Sequence, residues 1–243
     1  MRSRTIRAVI WAAVLLALGL GAQMACASQA EVFQNYQQGV ELARQGKFAE
    51  SKEAFARALK LDPANRPSMQ CLRTVNDVLE KRIKPETGRH IFQGVVHLNQ
   101  GDLEGAIREY TRAIELDPKY AVVYNDRGEA YLRANQYDLG IADLTRALEL
   151  DPKYPEAYMH RGIGYELKGD FDRAITDYNK ALEINPKYYM AWFNKADACE
   201  KAGRKKEAIE AYRNFLKYAP PRDERQIQRA KERLRVLEGT PGQ

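Results

Sequence analysis

Few residues of the sequence have a type and spacing that could support chemistry. His90 and His97 are seven residues apart, which places both on one face of a helix and could supply half of a metal site. No cysteine or carboxylate stands at the spacing of a further ligand, so we interpret both as packing residues, and His160 stands alone. The sequence also lacks a glycine-rich phosphate loop and a nucleophile elbow. We therefore expect a protein that is not an enzyme and that uses no metal or other cofactor.

The N-terminal residues carry a targeting pattern. Arg2, Arg4 and Arg7 precede an apolar run of 13 residues at 8–20, and the small residues of 25–27 follow it. The run is shorter than the roughly 20 residues that a membrane-spanning helix needs. The pattern predicts a secretory signal peptide over residues 1–27 and an extracytoplasmic protein, either periplasmic or secreted.

Cys26 offers an alternative, because a small residue followed by cysteine at the end of such a segment resembles a bacterial lipoprotein cleavage site. Cleavage after Ala27 or Ala30 is the preferred interpretation, since Ala25 and Ala27 have the spacing of a signal peptidase site. Lipidation at Cys26 would make the chain an outer-membrane lipoprotein, and we expect membrane contact only in that case. Cys71 and Cys199 are far apart in sequence and are predicted to be free thiols.

Charge and aromatic content argue against a nucleic-acid partner. Without residues 1–27 the chain has 36 basic and 33 acidic residues, a net charge of +3. Most of the 14 tyrosines occupy repeated scaffold positions rather than a basic stripe. A dense basic run follows near the C-terminus, and we interpret it as a solvated helix face rather than a phosphate or membrane site. Its members are Arg229, Lys231, Arg233 and Arg235.

A period of 34 residues organises the chain. The octets AIELDPKY, ALELDPKY and ALEINPKY recur, and the same interval separates each of four prolines from the next: Pro118, Pro152, Pro186 and Pro220. Such a period indicates stacked repeats. If each proline is position 32 of its unit, units begin at Thr87, Ala121, Pro155 and Tyr189, and Pro63 defines an earlier unit that begins at Val32.

Each unit has the pattern of two antiparallel helices. Position 8 is always small: Gly39, Gly94, Gly128, Gly162 and Ala196. Position 24 is large: Phe55, Tyr110, Leu144, Tyr178 and Tyr212. Small residues allow close approach of the helix backbones, and the large side chain fills the space beside them. The Asp-Pro or Asn-Pro pair then ends the second helix.

This pattern resembles the tetratricopeptide repeat family over residues 32–222. The strongest matches to the family signature lie in the third and fourth units, at Gly128, Tyr131, Ala147, Pro152, Gly162, Tyr165, Ala174, Tyr178, Ala181 and Pro186. The resemblance implies an all-α fold, a right-handed α-solenoid of helix-turn-helix repeats with a C-terminal capping helix. The predicted order is repeats at 32–65, 87–120, 121–154, 155–188 and 189–222, an inserted helix at 66–86, a capping helix at 223–238 and a tail at 239–243.

The resemblance also implies that the first helices line a concave groove for a protein or peptide segment. Positions 2, 5 and 9 of those helices are expected to face it. The candidate partner-binding residues are Tyr36, Ile91, Val95, Val122, Asn125, Glu129, Met159, Ile163, Phe193 and Asp197. Some relatives grip a terminal carboxylate with Lys at position 5 and Asn at position 9, a pair that is absent from this sequence.

The expected function is therefore an extracytoplasmic scaffold or adaptor that holds a segment with apolar and some basic side chains. Two alternatives stay open, namely a membrane-anchored lipoprotein that acts in envelope assembly and a non-catalytic binding subunit of an enzyme complex.

Overall fold

The computed structural model describes residues 29–239, so the predicted signal peptide and the lipidation site at Cys26 lie outside the described residues. Within 29–239 the chain forms twelve α-helices and no strand, which confirms the predicted all-α solenoid class. Helix α1 is described over 29–44. The others are α2 (Phe48–Leu61), α3 (Arg66–Leu79), α4 (Pro85–Gln100), α5 (Leu103–Leu116), α6 (Ala121–Arg133), α7 (Tyr137–Leu150), α8 (Pro155–Leu167), α9 (Phe171–Ile184), α10 (Tyr189–Lys201), α11 (Lys205–Tyr218) and α12 (Glu224–Glu238).

The helices form two compact units, one up to Phe92 and one from Gln93 onward. In the first unit, Phe55 of α2 is fully buried, and its ring stacks on that of Phe92 with the ring centroids 6.1 Å apart. A Cβ atom on Gly39 of α1 would lie 2.6 Å from the Phe55 ring, so only glycine allows α1 to approach α2 this closely. Helix α3 packs against α2, and its Val75 and Val78 are buried.

In the second unit, first helices alternate with second helices. The pairs α6 and α7, α8 and α9, and α10 and α11 pack side by side, and each second helix also packs against the first helix of the following repeat. A Cβ atom on Gly162 would lie 2.6 Å from Cε1 of Tyr178, whose side chain is fully buried. The small and large positions of the sequence pattern therefore meet at the centre of each pair.

The turn between the two helices of a repeat needs a left-handed backbone. Position 15 has a positive φ in all five repeats, between 73° and 81° at Gly46, Gly101, Gly169 and Gly203, and 59° at Asn135. Glycine adopts this conformation without steric cost, and asparagine tolerates it better than most residues. Two second helices then begin with a side-chain cap, in which Asp102 accepts a hydrogen bond from Gly105 N and Asp170 accepts one from Arg173 N.

A buried polar ladder joins neighbouring repeats in the second unit. The guanidinium group of Arg161 donates two hydrogen bonds to the carboxylate of Asp177 in its own repeat, at 2.8 and 2.9 Å, and a third to Thr145 Oγ1 of the preceding repeat at 3.2 Å. One repeat earlier, the same bonds join Arg127, Asp143 and Thr111. The planar guanidinium suits this paired geometry, and the ladder fixes each helix pair against the one before it.

Helix α12 covers the end of the second unit. Its Ala230 and Leu234 are buried against Phe193 and Phe215 of the last repeat. The basic run of this helix is divided: Arg229 and Arg233 bind carboxylates of α10, whereas Lys231 and Arg235 are exposed. Only part of that run is therefore the solvated face that the sequence indicated.

Candidate functional site

The candidate site is the exposed side of the first helices of the second unit. We call it the first-helix face and define it by positions 5, 6, 9 and 12 of α6, α8 and α10. Positions 5, 9 and 12 are spaced by four and three residues and position 6 adjoins position 5, so their side chains share one side of each helix. Consecutive first helices are neighbours, since α6 contacts α8 and α8 contacts α10. The face is thus continuous across three repeats.

Position 5 lies at the base of this face. The residues there are Asn125, Met159 and Phe193, with 1%, 8% and 7% of their surface exposed. Val122 at position 2 is also buried. These four predicted residues are buried, so they shape the face from below rather than offer a surface to a partner.

Position 9 provides the accessible residues. Glu129, Ile163 and Asp197 are each partly exposed, with Glu129 in an ion pair with Arg133 and Asp197 bonded to Arg229 and Tyr212. They give the face one aliphatic side chain and two carboxylates.

Tyr36, Ile91 and Val95 belong to earlier repeats. Tyr36 and Ile91 lie in the first unit, where Tyr36 is partly exposed beside Phe55 and Ile91 is buried. Val95 lies in the second unit on α4 and is partly exposed at position 9.

Position 12 adds two carboxylates that the sequence candidates omitted. Glu166 accepts hydrogen bonds from Tyr178 Oη at 2.9 Å and from Lys201 Nζ at 2.6 Å. Glu200 accepts one from Arg233 Nε at 3.1 Å and another from Tyr212 Oη at 3.2 Å. The signal was present in the sequence, because position 12 continues the stripe of positions 5 and 9 by one further turn.

Burial modifies the titration of this face. Burial raises the pKa of Asp197 above its ordinary value of 3.8, although the hydrogen bond from Tyr212 Oη at 2.5 Å and the charge of Arg229 oppose the change. Burial also raises the pKa of Tyr178 and of Tyr212, and the nearby carboxylates add to the effect. Both tyrosines are therefore neutral hydrogen-bond donors that orient the carboxylates of the face.

Position 6 contributes a polar contact between repeats. Nδ1 of His160 on α8 lies 2.9 Å from Oδ1 of the buried Asn125 on α6, which fixes the imidazole ring at the face. His97, the other histidine of the second unit, lies with Nδ1 2.8 Å from Oδ2 of Asp102. No group of three His, Cys, Asp or Glu side chains within residues 29–239 could hold a metal ion. In the same part of the chain, no helix is long and apolar enough to cross a membrane.

Comparison with known proteins identifies the class. Models of the tetratricopeptide repeat match residues 33–65, 94–135, 125–189 and 165–223, which together make up more than half of the chain. The chain belongs to the tetratricopeptide repeat family. Human tetratricopeptide repeat protein 6 is 29% identical over 111 residues, which is 41% of this chain and 21% of that protein. The chain therefore spans about a fifth of the length of that curated relative.

Two solved structures share the fold at low sequence identity. The protein TTC0263 of Thermus thermophilus, described as a thermophilic TPR protein, superposes with a TM-score of 0.57 at 20% identity, over 83% of this chain and 97% of its own. MamA superposes with a TM-score of 0.51 at 24% identity, over 76% of this chain and 96% of its own.

Proposed function

We propose that the chain is an extracytoplasmic adaptor that binds a protein or peptide segment on its first-helix face. The observation that carries the proposal is the placement of Ile163. This partly exposed aliphatic side chain lies one turn from Glu166 on α8. Glu129 occupies the position on α6 that corresponds to Ile163. An aliphatic residue among carboxylates matches a segment that carries apolar and basic side chains.

The closest contacts within each helix pair are made by positions 7 and 8 rather than by position 9. In the third and fourth repeats, position 8 meets position 24, and position 7 meets position 23. Ile163 at position 9 packs beside two buried clusters and keeps part of its side chain exposed.

The extracytoplasmic setting rests on the pattern of Arg2, Arg4, Arg7 and the apolar run at 8–20. A lipoprotein form is the alternative and rests on Cys26 directly after Ala25. Intact-mass measurement of the mature protein separates the two, because a diacylated N-terminal cysteine adds the mass of its lipid. A mature chain that retains residues 1–27 would contradict both forms.

Site-specific photo-crosslinking tests the binding face. A photoreactive amino acid at Ile163 is expected to form an adduct with a partner protein in cells, and competition by an excess of unlabelled protein should suppress it. The matched control is the same amino acid at Leu139 of α7, an aliphatic residue that is 52% exposed away from this face. We expect the Ile163→Arg substitution to prevent co-purification of the crosslinked partner and Leu139→Arg to leave it unchanged. Equal adducts at both positions would contradict the proposal.

A further inference from the structure

Helix α3 is the one helix between 29 and 218 that the repeat pattern does not pair. It follows Pro63 as a first helix follows the proline of its predecessor, and Asn65 caps it by accepting a hydrogen bond from Ser68 N. The next helix, α4, already begins the following repeat. Helix α3 is therefore half of a repeat, since it has the place of a first helix and no second helix of its own.

The side of α3 that would face a second helix is open. Counted from Pro63 as position 32, Leu72 and Arg73 occupy positions 7 and 8, which pack against the second helix in the third and fourth repeats. In the first unit these two residues help to line an open groove of about 330 Å³ between α3 and the end of α2. Arg73 replaces the glycine or alanine found at position 8 elsewhere, so a second helix of the kind used in this chain would not fit there.

The open side carries a stripe of three apolar residues and one asparagine, with Arg73 and Glu80 along one edge. Met69, Leu72, Asn76 and Leu79 follow one another at intervals of three and four residues, and the exposures of Met69 and Leu79 are 44% and 42%. This is the spacing at which one helix packs along another. Most buried residues of α3 lie on other sides of the helix, whereas the buried Ser68 and Val75 border the stripe beside Leu79.

Arg73 and Glu80 give the stripe one positive and one negative charge, so the stripe of one chain is complementary in charge to the stripe of a second copy. Arg73 and Glu80 are seven residues apart, about two helical turns, and both are exposed along the same edge of the stripe. An antiparallel copy of α3, related by a two-fold axis between Asn76 and Asp77, places each Arg73 opposite the Glu80 of the other chain. Glu80 pairs with Arg82 within its own chain, an exposed contact that contributes little and that a second partner can share.

We propose that the chain associates with a second copy of itself through an antiparallel, two-fold pairing of α3 with α3. A two-fold contact requires a surface that is complementary to itself, which this stripe provides in both its apolar residues and its charges. The pairing buries Met69, Leu72 and Leu79. One helix of 14 residues is a small interface, so the dimer dissociates readily.

Sedimentation equilibrium of the mature protein from about 1 to about 200 µM measures the association. The average mass should rise toward that of a dimer, and Leu72→Glu should weaken the association at least about tenfold. Arg73→Glu and Glu80→Arg should each weaken it, and the double variant should restore it, because the charges are then exchanged rather than lost. The control Leu139→Glu should leave it unchanged. A parent protein that stays monomeric throughout, or a double variant no better than the single ones, would overturn the proposal.

Disulfide trapping reports the geometry directly. In a Cys26→Ser background, Asn76→Cys places a thiol beside the proposed axis and should form a covalent dimer under mild oxidation. Gln70→Cys is the matched control, since residue 70 is exposed on the same helix but away from the stripe, and it should form little. The remaining cysteines, Cys71 and Cys199, are buried and should not contribute. Equal trapping of the two variants would show a different interface.

Discussion

The close contact between Gly162 and Tyr178 allows a quantitative test of how these repeats pack. A Cβ atom on Gly162 would lie 2.6, 2.9 and 3.1 Å from Cε1, Cδ1 and Cζ of Tyr178. The ring is fully buried and its hydroxyl group is bonded to Glu166, so it has little freedom to retreat. Alanine and leucine have nearly the same helix propensity, both about 0.8–1 kcal/mol better than glycine. A difference in stability between Gly162→Ala and Gly162→Leu therefore measures packing.

For Gly162→Ala, we expect the gain in helix propensity to be offset by displacement of the ring. For Gly162→Leu, three further carbon atoms enter the same space, and overpacking should lower the free energy of unfolding by about 1–3 kcal/mol relative to the alanine variant. In a chain of this size each kcal/mol lowers Tm by about 2–4 °C. Urea unfolding followed by circular dichroism measures the difference, and the fluorescence of Trp192 reports the C-terminal repeats separately.

The control pair is Gln228→Ala and Gln228→Leu, at an exposed position of α12 where the two variants should agree within about 0.5 kcal/mol. If the leucine variant at position 162 is as stable as the alanine variant, the close helix approach described here is wrong.

Three further predictions concern buried polar groups. Arg161→Ala leaves the Asp177 carboxylate buried without its partner and should lower the free energy of unfolding in urea by roughly 2–4 kcal/mol. Arg161→Lys should recover only part of that loss. A loss below about 0.5 kcal/mol for the alanine variant would contradict the ladder. Because the folded pKa of Asp197 is raised, the contribution of this residue to stability falls as the pH rises from about 3.8 through the folded pKa. Over that interval the Asp197→Asn variant should therefore gain stability relative to the parent protein. Unfolding at several pH values measures the difference in stability, and a difference that stays constant with pH would show that the pKa is not raised. Burial raises the pKa of Cys199 to about 11, so iodoacetamide should label this thiol near pH 8 only after the protein unfolds. Mass spectrometry of the labelled peptide measures the labelling. Rapid labelling of the folded chain would contradict the burial of Cys199.

The repeat pattern carries most of the fold information because its spacing reflects direct contacts. Units set by the prolines begin at Ala121, Pro155 and Tyr189, and α6, α8 and α10 begin at those same residues. The small and large positions meet where the pattern required, as Gly162 and Tyr178 illustrate. Each of these features depends on contacts within one repeat, and such contacts produce a recurring pattern of residue types that can be recognised in a single sequence.

The structure of the inserted segment at 66–86 was harder to predict from the sequence. Its apolar spacing extends to Ile83, but α3 ends at Leu79 and Lys81 adopts a positive φ of 59°. Ile83 is buried although it lies beyond the helix. Periodicity shows which residues favour burial, whereas the end of a helix depends on the local turn and on what packs against it.

The site was less predictable because it depends on contacts between repeats. Whether position 5 is exposed depends on how closely the next repeat packs, and the 34-residue pattern does not contain that distance. The arginine partners of Asp197 and Glu200 come from α12, outside the repeats. The sequence of the basic run around Arg229 does not by itself show which of its side chains bind carboxylates and which are exposed.

The polar ladder has a direction along the chain. The guanidinium group of Arg161 bonds to Asp177 in its own repeat and to a hydroxyl group of the repeat that precedes it, Thr145. During synthesis, which proceeds from the N-terminus, each guanidinium group thus emerges after its hydroxyl acceptor has been made. Loss of repeats from the C-terminal end leaves the ladder bonds of the remaining repeats in place, whereas loss from the N-terminal end removes an acceptor. Truncations of equal length at the two ends should therefore be tolerated unequally.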